Sequence, residues 1–187
     1  SAGFVVTTAA NAADAKRAMK SVDPDAMVVD IELGPGPNGF ELVDSLAPQT
    51  PAIGIVYLTN LPDPRFVAKD GKAVKTNQAY LRKSEIETGE ELVEAIEAVL
   101  RDEVTNEYRH DLASNRPLAE LSRRQIETLA LVSEGKTNNQ IAELRGTTVR
   151  AVEGMLSRIF ELLNIDPKSS NPRVEAAGTF LKSKGLE

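Results

Sequence analysis

Residues 121–163 hold three short helical patterns divided by tight breaks, and that spacing leaves room for little except a small helical bundle built around a helix-turn-helix. Thr137-x-x-Gln140 reads as a capping box, in which the threonine hydroxyl accepts from the amide three residues on and Gln140 reaches back. Gly135 can end the preceding helix, where a positive φ is needed. Gly146 makes the next turn, and Thr148 is placed to cap a helix that begins at Val149. Along that helix Val149, Val152, Leu156, Ile159, Phe160 and Leu163 keep helical spacing and form one apolar stripe. Arg150, Glu153, Ser157 and Arg158 fall on the other side. A helix buried on one face, with arginines and hydroxyls on the other, suits insertion into the major groove of double-stranded DNA.

The first half reads differently. Gly3–Thr8, Ala26–Asp30, Ile53–Leu58 and Ala79–Arg82 are short runs rich in β-branched or aromatic residues, separated by helix-like or irregular stretches, which predicts a parallel α/β sheet. Alanine-rich Ala12–Met19 is expected to be helical. So is Thr88–Leu100, where Thr88-x-x-Glu91 forms a capping box ahead of Leu92, Ile96, Val99 and Leu100. Residues 62–78, with two prolines and a glycine, predict a loop or a distorted helix. Chemistry in such sheets gathers at the carboxyl ends of the strands, and three of the runs end at Asp30, Thr59 and Lys83. A carboxylate nucleophile, a hydroxyl donor and a charge-offsetting ammonium would together serve phosphoryl chemistry. Tyr80 lies three residues before Lys83, on the strand that feeds the site.

Charge separates the halves. Residues 1–105 carry 10 lysines and arginines against 17 aspartates and glutamates, residues 106–187 carry 12 against 11, and the whole chain has a net charge of −6. Attraction to phosphate must therefore come from placed arginines and helix N-termini rather than bulk charge. With no cysteine, neither a disulfide framework nor a thiolate metal site can form. His110, the single histidine, reads as a solvated linker residue. No apolar run reaches the roughly 20 residues of a membrane span, and no leader is visible at Ser1, so a cytoplasmic protein with no membrane partner is expected.

The second half resembles the LuxR/NarL-type DNA-binding domain through Leu121, Ser122, Arg124, Leu129, Gly135, Thr137, Asn138, Ile141, Ala142, Thr148, Val152, Ile159 and Leu163. The first half resembles the receiver domain of two-component response regulators. Asp30 in Val-Val-Asp-Ile-Glu-Leu matches the phospho-acceptor, Thr59 the switch hydroxyl, Lys83 the phosphate-pairing lysine and Tyr80 the aromatic switch. Gly34–Gly39 stands at the loop after the acceptor strand. The resemblance implies a flavodoxin-like receiver over 1–104, a linker over 105–118 and a helix-turn-helix domain over 119–187. It further implies a transcriptional regulator controlled by a sensor histidine kinase, not an enzyme. Mg²⁺ is the implied cofactor. DNA contacts fall to Thr148, Arg150, Glu153, Ser157 and Arg158, and a homodimer is implied, pairing near Pro172–Lys184 or Thr88–Leu100.

The pattern departs from the family in two places. The family's first strand, which ends in the acidic pair that ligates Mg²⁺, and the helix after it are absent from this chain. The order 2-1-3-4-5 makes the absent strand internal; either the chain is shortened or the receiver is rebuilt around an exchanged strand. Asp30 is then the one metal-ligating residue of the motif, with Glu32 a possible substitute. On the recognition helix Glu153 and Met155 replace a basic or polar residue and a histidine, and Glu153 either accepts from cytosine N4 or restrains loose binding. The alternative reading is a phosphorylation-independent pseudo-receiver regulator or protein-interaction module. A second alternative, an aspartyl-phosphate phosphatase suggested by Asp30-x-Glu32, lacks its downstream acidic motif.

Overall fold

Side-chain caps set the start of nearly every helix in this chain, and the strands fall between them. A computed structural model describes residues 3–67, 74–115, 118–166, 168 and 171–184. The chain divides into two compact units: Ser1–Leu61 with Lys72–Ala113, and Pro62–Gly71 with Ser114–Glu187. Ser1, and Arg116 and Pro117 of the expected linker, lie outside the described residues.

In the first unit, helix α1 (Ala12–Val22) starts where the Asn11 side chain accepts from the Asp14 amide. Strand β1 (Ala26–Val29) follows, then helix α2 (Gly39–Leu46), strands β2 (Gly54–Thr59) and β3 (Gln78–Arg82), and helix α3 (Gly89–Leu100). The sheet is parallel in the order β1-β2-β3, with Val28 opposite Val56 and Tyr57 opposite Tyr80. Alternation puts Val56, Ala79 and Leu81 against Ala95 and Val99 of α3. On the other face Phe40 of α2 stacks at 4.7 Å on Tyr57, which lies 6.4 Å from Tyr80. Thr88 caps α3 through a complete capping box. Asn38 and Glu41 form another at α2, a helix that the apolar pattern did not single out.

Two sequence expectations for this unit need correction. Gly3–Thr8 forms no strand; Val5 is 97% exposed and Val6 75%. A strand needs a neighbour to take its amides and carbonyls, and no described residue offers one there. His110 is no solvated linker residue either. Residues 106–112 fold as two 3-10 turns along β3, through a parallel bridge between Tyr80 and Arg109. The His110 Nδ1 accepts from the Arg82 amide at 3.0 Å. Buried Arg109 anchors the stretch, donating to the carbonyls of Val74 and Lys75 and, at 2.8 and 2.9 Å, to Asp111.

The second unit holds helices α4 (Arg123–Ser133), α5 (Asn138–Leu144), α6 (Val149–Leu162) and α7 (Pro172–Ser183). Ser122 and Thr137 begin α4 and α5 through capping boxes, and Thr148 caps α6 by accepting from Ala151. Gly135, at φ 77°, lets the Lys136 amide reach back to Leu131, the closing hydrogen bond of a Schellman turn. Gly146 repeats the device between α5 and α6, with Thr147 donating to Ala142 at 2.9 Å. The core joins Leu121, Ile126, Leu129, Ile141, Val152, Leu156, Ile159 and Phe180. No helix among the described residues is long and apolar enough to cross a membrane.

Candidate functional site

Asp30 follows the last residue of β1, Thr59 ends β2 and Lys83 follows β3, so three parallel strands deliver three polar side chains to one edge. Lys83 Nζ donates to Asp30 Oδ2 at 2.6 Å. The Glu32 amide donates to Asp30 Oδ1 at 3.1 Å, and the Thr59 hydroxyl adds a further hydrogen bond. Burial alone would raise the Asp30 pKa. The hydrogen bonds from Lys83, the Glu32 amide and Thr59 outweigh it and hold the carboxyl below the ordinary carboxylate value. Asp30 is therefore ionised at neutral pH, as a nucleophile must be. Because the folded value is depressed, the pair stabilises the unit above the unfolded pKa of about 4, and that contribution is lost as pH falls through the lower folded value. With both side chains partly exposed, the effect is under about 1 kcal/mol.

Thr59 is fully buried and faces two ways. Its Oγ1 also accepts from the Leu61 amide at 3.1 Å, while the Tyr80 hydroxyl donates to the Leu61 carbonyl at 2.6 Å. Tyr80 therefore lies behind the site, next to Thr59, and not at its mouth. One residue was missed by the sequence reading. A Cβ on Gly39 would come within 2.4 Å of the Asp30 carbonyl oxygen and 2.9 Å of Ile31 Cα, so α2 can start against the acceptor turn only with glycine there. A glycine directly after the Asn38 cap was the available signal.

The donor set does not fit Mg²⁺, which takes near-octahedral oxygen ligands with one or two carboxylates. Among the described residues no group of three or more His, Cys, Asp or Glu side chains gathers to hold a metal. Asp30 is committed to Lys83 and the Glu32 amide, and the Glu32 side chain is exposed, with its backbone rather than its carboxylate serving the turn. On α6, Val152, Leu156 and Ile159 are buried, and Arg150, Glu153, Ser157 and Arg158 lie exposed on the other side with Thr148 at the cap. Ser157 Oγ donates to the Glu153 carbonyl at 3.1 Å and Arg158 Nε to the Gly154 carbonyl at 3.1 Å, so both polar side chains fold back along the helix. Met155 is partly buried, its sulfur accepting from Thr128 Oγ1 at 3.1 Å. This position, noted as a departure on the recognition helix, belongs to the core.

No family model matches the chain. It is 30% identical over 195 residues to the oxygen regulatory protein NreC of Staphylococcus epidermidis, an alignment covering 98% of this chain and 87% of that protein. Against NreC of Staphylococcus haemolyticus it is 28% identical over 194 residues, with the same coverage. Its fold is similar to that of the two-component response regulator RcsB in a DNA complex, at a TM-score of 0.52 and 17% identity over 92% of this chain and 82% of that one. A three-stranded parallel sheet ending in Asp30, Thr59 and Lys83, a separate capped helix-turn-helix, and likeness to NreC along nearly the whole length place this chain in the NarL/LuxR family of response regulators.

Proposed function

We propose that the chain is a transcription regulator that binds double-stranded DNA through α6 and is switched at Asp30 by a sensor histidine kinase. The observation that carries this reading is the 2.6 Å contact from Lys83 to an ionised Asp30, with Thr59 beside them. In the transfer an Asp30 oxygen attacks phosphorus, the O–P bond forms and the bond to the donor's histidine nitrogen breaks. Lys83 then pairs with a phosphoryl oxygen in place of the carboxylate, and Thr59 turns its hydroxyl toward another. Thr59 and Tyr80 share Leu61, so a change at Thr59 alters what Tyr80 can bond. Phosphate works as a switch because it favours one of two arrangements.

DNA binding is supported by the exposed row Thr148, Arg150, Glu153, Ser157 and Arg158 on a helix whose other face is buried. The structure reported for RcsB is a DNA complex. Homodimerisation is supported by α7, where Val174 is 64% and Leu181 37% exposed, seven residues apart on one face. Two copies would then carry two recognition helices to paired half-sites.

Intact-mass measurement after exposure to a small acyl phosphate tests the switch. One added phosphoryl group on the wild type and none on Asp30→Asn supports it. An equal increment on both assigns the acceptor elsewhere. A wild type that takes no label, yet binds DNA, favours the phosphorylation-independent regulator, a reading supported by the described residues of the site, among which no group of three or more His, Cys, Asp or Glu side chains gathers.

A further inference from the structure

His110 presents one nitrogen to two partners with opposite needs. Its Nδ1 accepts from the Arg82 amide at 3.0 Å, which requires a bare lone pair there, so the neutral ring carries its proton on Nε2. Glu85 Oε2 stands 3.2 Å from the same nitrogen, and a carboxylate oxygen at that distance is favourable only when Nδ1 carries a proton. Both cannot hold at once. Neutral His110 bonds the amide with a carboxylate lone pair set against it; charged His110 pairs with Glu85 and loses the amide. An imidazole is the side chain that ordinarily changes charge between about pH 5 and 8, which makes the choice one that acidification can drive.

What the amide bond controls lies one residue on. The backbone groups of Tyr80 and Arg82 face the edge of β3 away from β2, where a parallel bridge to Arg109 takes the first and the His110 ring the second. Beyond Arg82 the strand becomes a 3-10 turn, Lys83–Glu85, for which Arg82 is the cap residue. That turn has no side-chain cap, so the tie on Arg82 sets where it begins. Lys83, its first residue, carries the ammonium that donates to Asp30 Oδ2 at 2.6 Å. Glu85, its last, also pairs with Arg82 Nη1. The ring therefore meets both ends of the turn that presents Lys83, and all of these residues lie in the first unit. The titratable groups on the elements packed around it are Arg82, Glu85, Glu107, Tyr108, Arg109 and Asp111. Glu85 carries the charged atom that reaches the ring, and Arg109 and Asp111 are engaged with each other.

We infer that His110 is a positioning residue for Lys83: with a neutral ring it holds the corner that presents the ammonium to Asp30, and with a charged ring it lets that corner go. This role rests on reading Asp30, Thr59 and Lys83 as the phosphoryl site. Mild acid then loosens the lysine without removing its charge, and phosphoryl transfer slows although Asp30, held below the ordinary carboxylate value, stays ionised.

Intact-mass measurement of the full chain, labelled with acetyl phosphate, tests this as a pH profile. Rates are divided at each pH by that of His110→Asn, whose Oδ1 stands where Nδ1 does and accepts at any pH, so the donor's own protonation cancels. The wild type should match His110→Asn at about pH 8 and fall to about one-fifth of it at about pH 5.5, the loss of one neutral hydrogen bond. Glu85→Gln removes the carboxylate that holds the charged ring and should move the fall toward lower pH. His110→Phe, a ring without an acceptor, should sit at about one-fifth throughout. A wild-type ratio that stays level with pH, or His110→Phe equal to the wild type at about pH 8, overturns the inference. Nitrogen NMR of the ring decides the matter where a variant fails to fold or no label is taken. At about pH 8 the proton should sit on Nε2, and the Arg82 and Lys83 amide resonances should move together with the ring on acidification. With Asp30 labelled, a proton on Nδ1 at that pH, or amides that ignore the ring, refutes this proposal alone. That tautomer and those shifts in a wild type that takes no label on Asp30 refute the proposed function alone.

Discussion

Leu129, Ile141 and Ile159 in the second unit are completely enclosed, and every helix from α4 to α6 begins on a side-chain cap. In the first unit β2 and β3 are sealed along most of their length. Strand β1 is paired along one side among the described residues, with Val28 42% exposed, and the residues before α1 lie open to solvent. Each helix of the bundle starts on a cap made by residues three positions apart, a local signal that the strands of the sheet lack, and the sheet's softest member, β1, leads directly into Asp30. Elements that respond to a ligand come from the low-stability end of a fold, so a switch residue after β1 is where the physics would put one.

Core truncation should separate the two units most widely. Leu129→Ala should destabilise the second unit by about 2–5 kcal/mol, whereas Val28→Ala should lower the stability of the first by less than about 1 kcal/mol. Denaturant titrations, followed by exchange in each unit, read both. A large loss from Val28→Ala would mean that β1 is as firmly packed as the bundle. On α6, Arg150→Ala and Arg158→Ala should each weaken DNA binding by about tenfold and flatten the slope of log affinity against log salt by about 0.9. Unchanged binding by the double variant would put the DNA face on another helix.

Glu153→Gln should raise affinity for all DNA by about threefold, roughly the worth of one surface charge, and leave sequence preference intact. If binding-site selection at fixed salt shows a cytosine preference lost in the variant, Glu153 reads a base instead. Gly154→Ala should stabilise the second unit by about 0.5–1 kcal/mol, since its Cβ would meet nothing closer than Arg158 Nη2 at 3.9 Å. A loss on thermal melting would show that α6 needs the glycine.

The same contrast explains how much could be read from the residues alone. Caps and glycine stops act over three to five positions, so Thr137, Gly135, Gly146 and Thr148 marked the ends of α4 to α6 before any tertiary contact was known. Asp30, Thr59 and Lys83 were legible because parallel strands deliver their last residues to one edge. Gly3–Thr8 has strand composition, but pairing is a property of two segments, and composition describes one. The environment of His110 was hidden because its partner, the Arg82 amide, is 28 residues away and carries no side-chain signature. The hydrogen bonds from Arg65 to Leu118 and Leu121 were hidden for the same reason, as both acceptors are backbone carbonyls.

On this reading Asp30 governs what α6 does. DNA affinity at one fixed salt concentration, with and without a small acyl phosphate, compares the wild type with Asp30→Asn most directly. The donor should change wild-type affinity by about tenfold, a coupling in the range of about 1–3 kcal/mol, and leave Asp30→Asn unchanged. The same response in both proteins, or none in a wild type shown by mass to be phosphorylated, would contradict it.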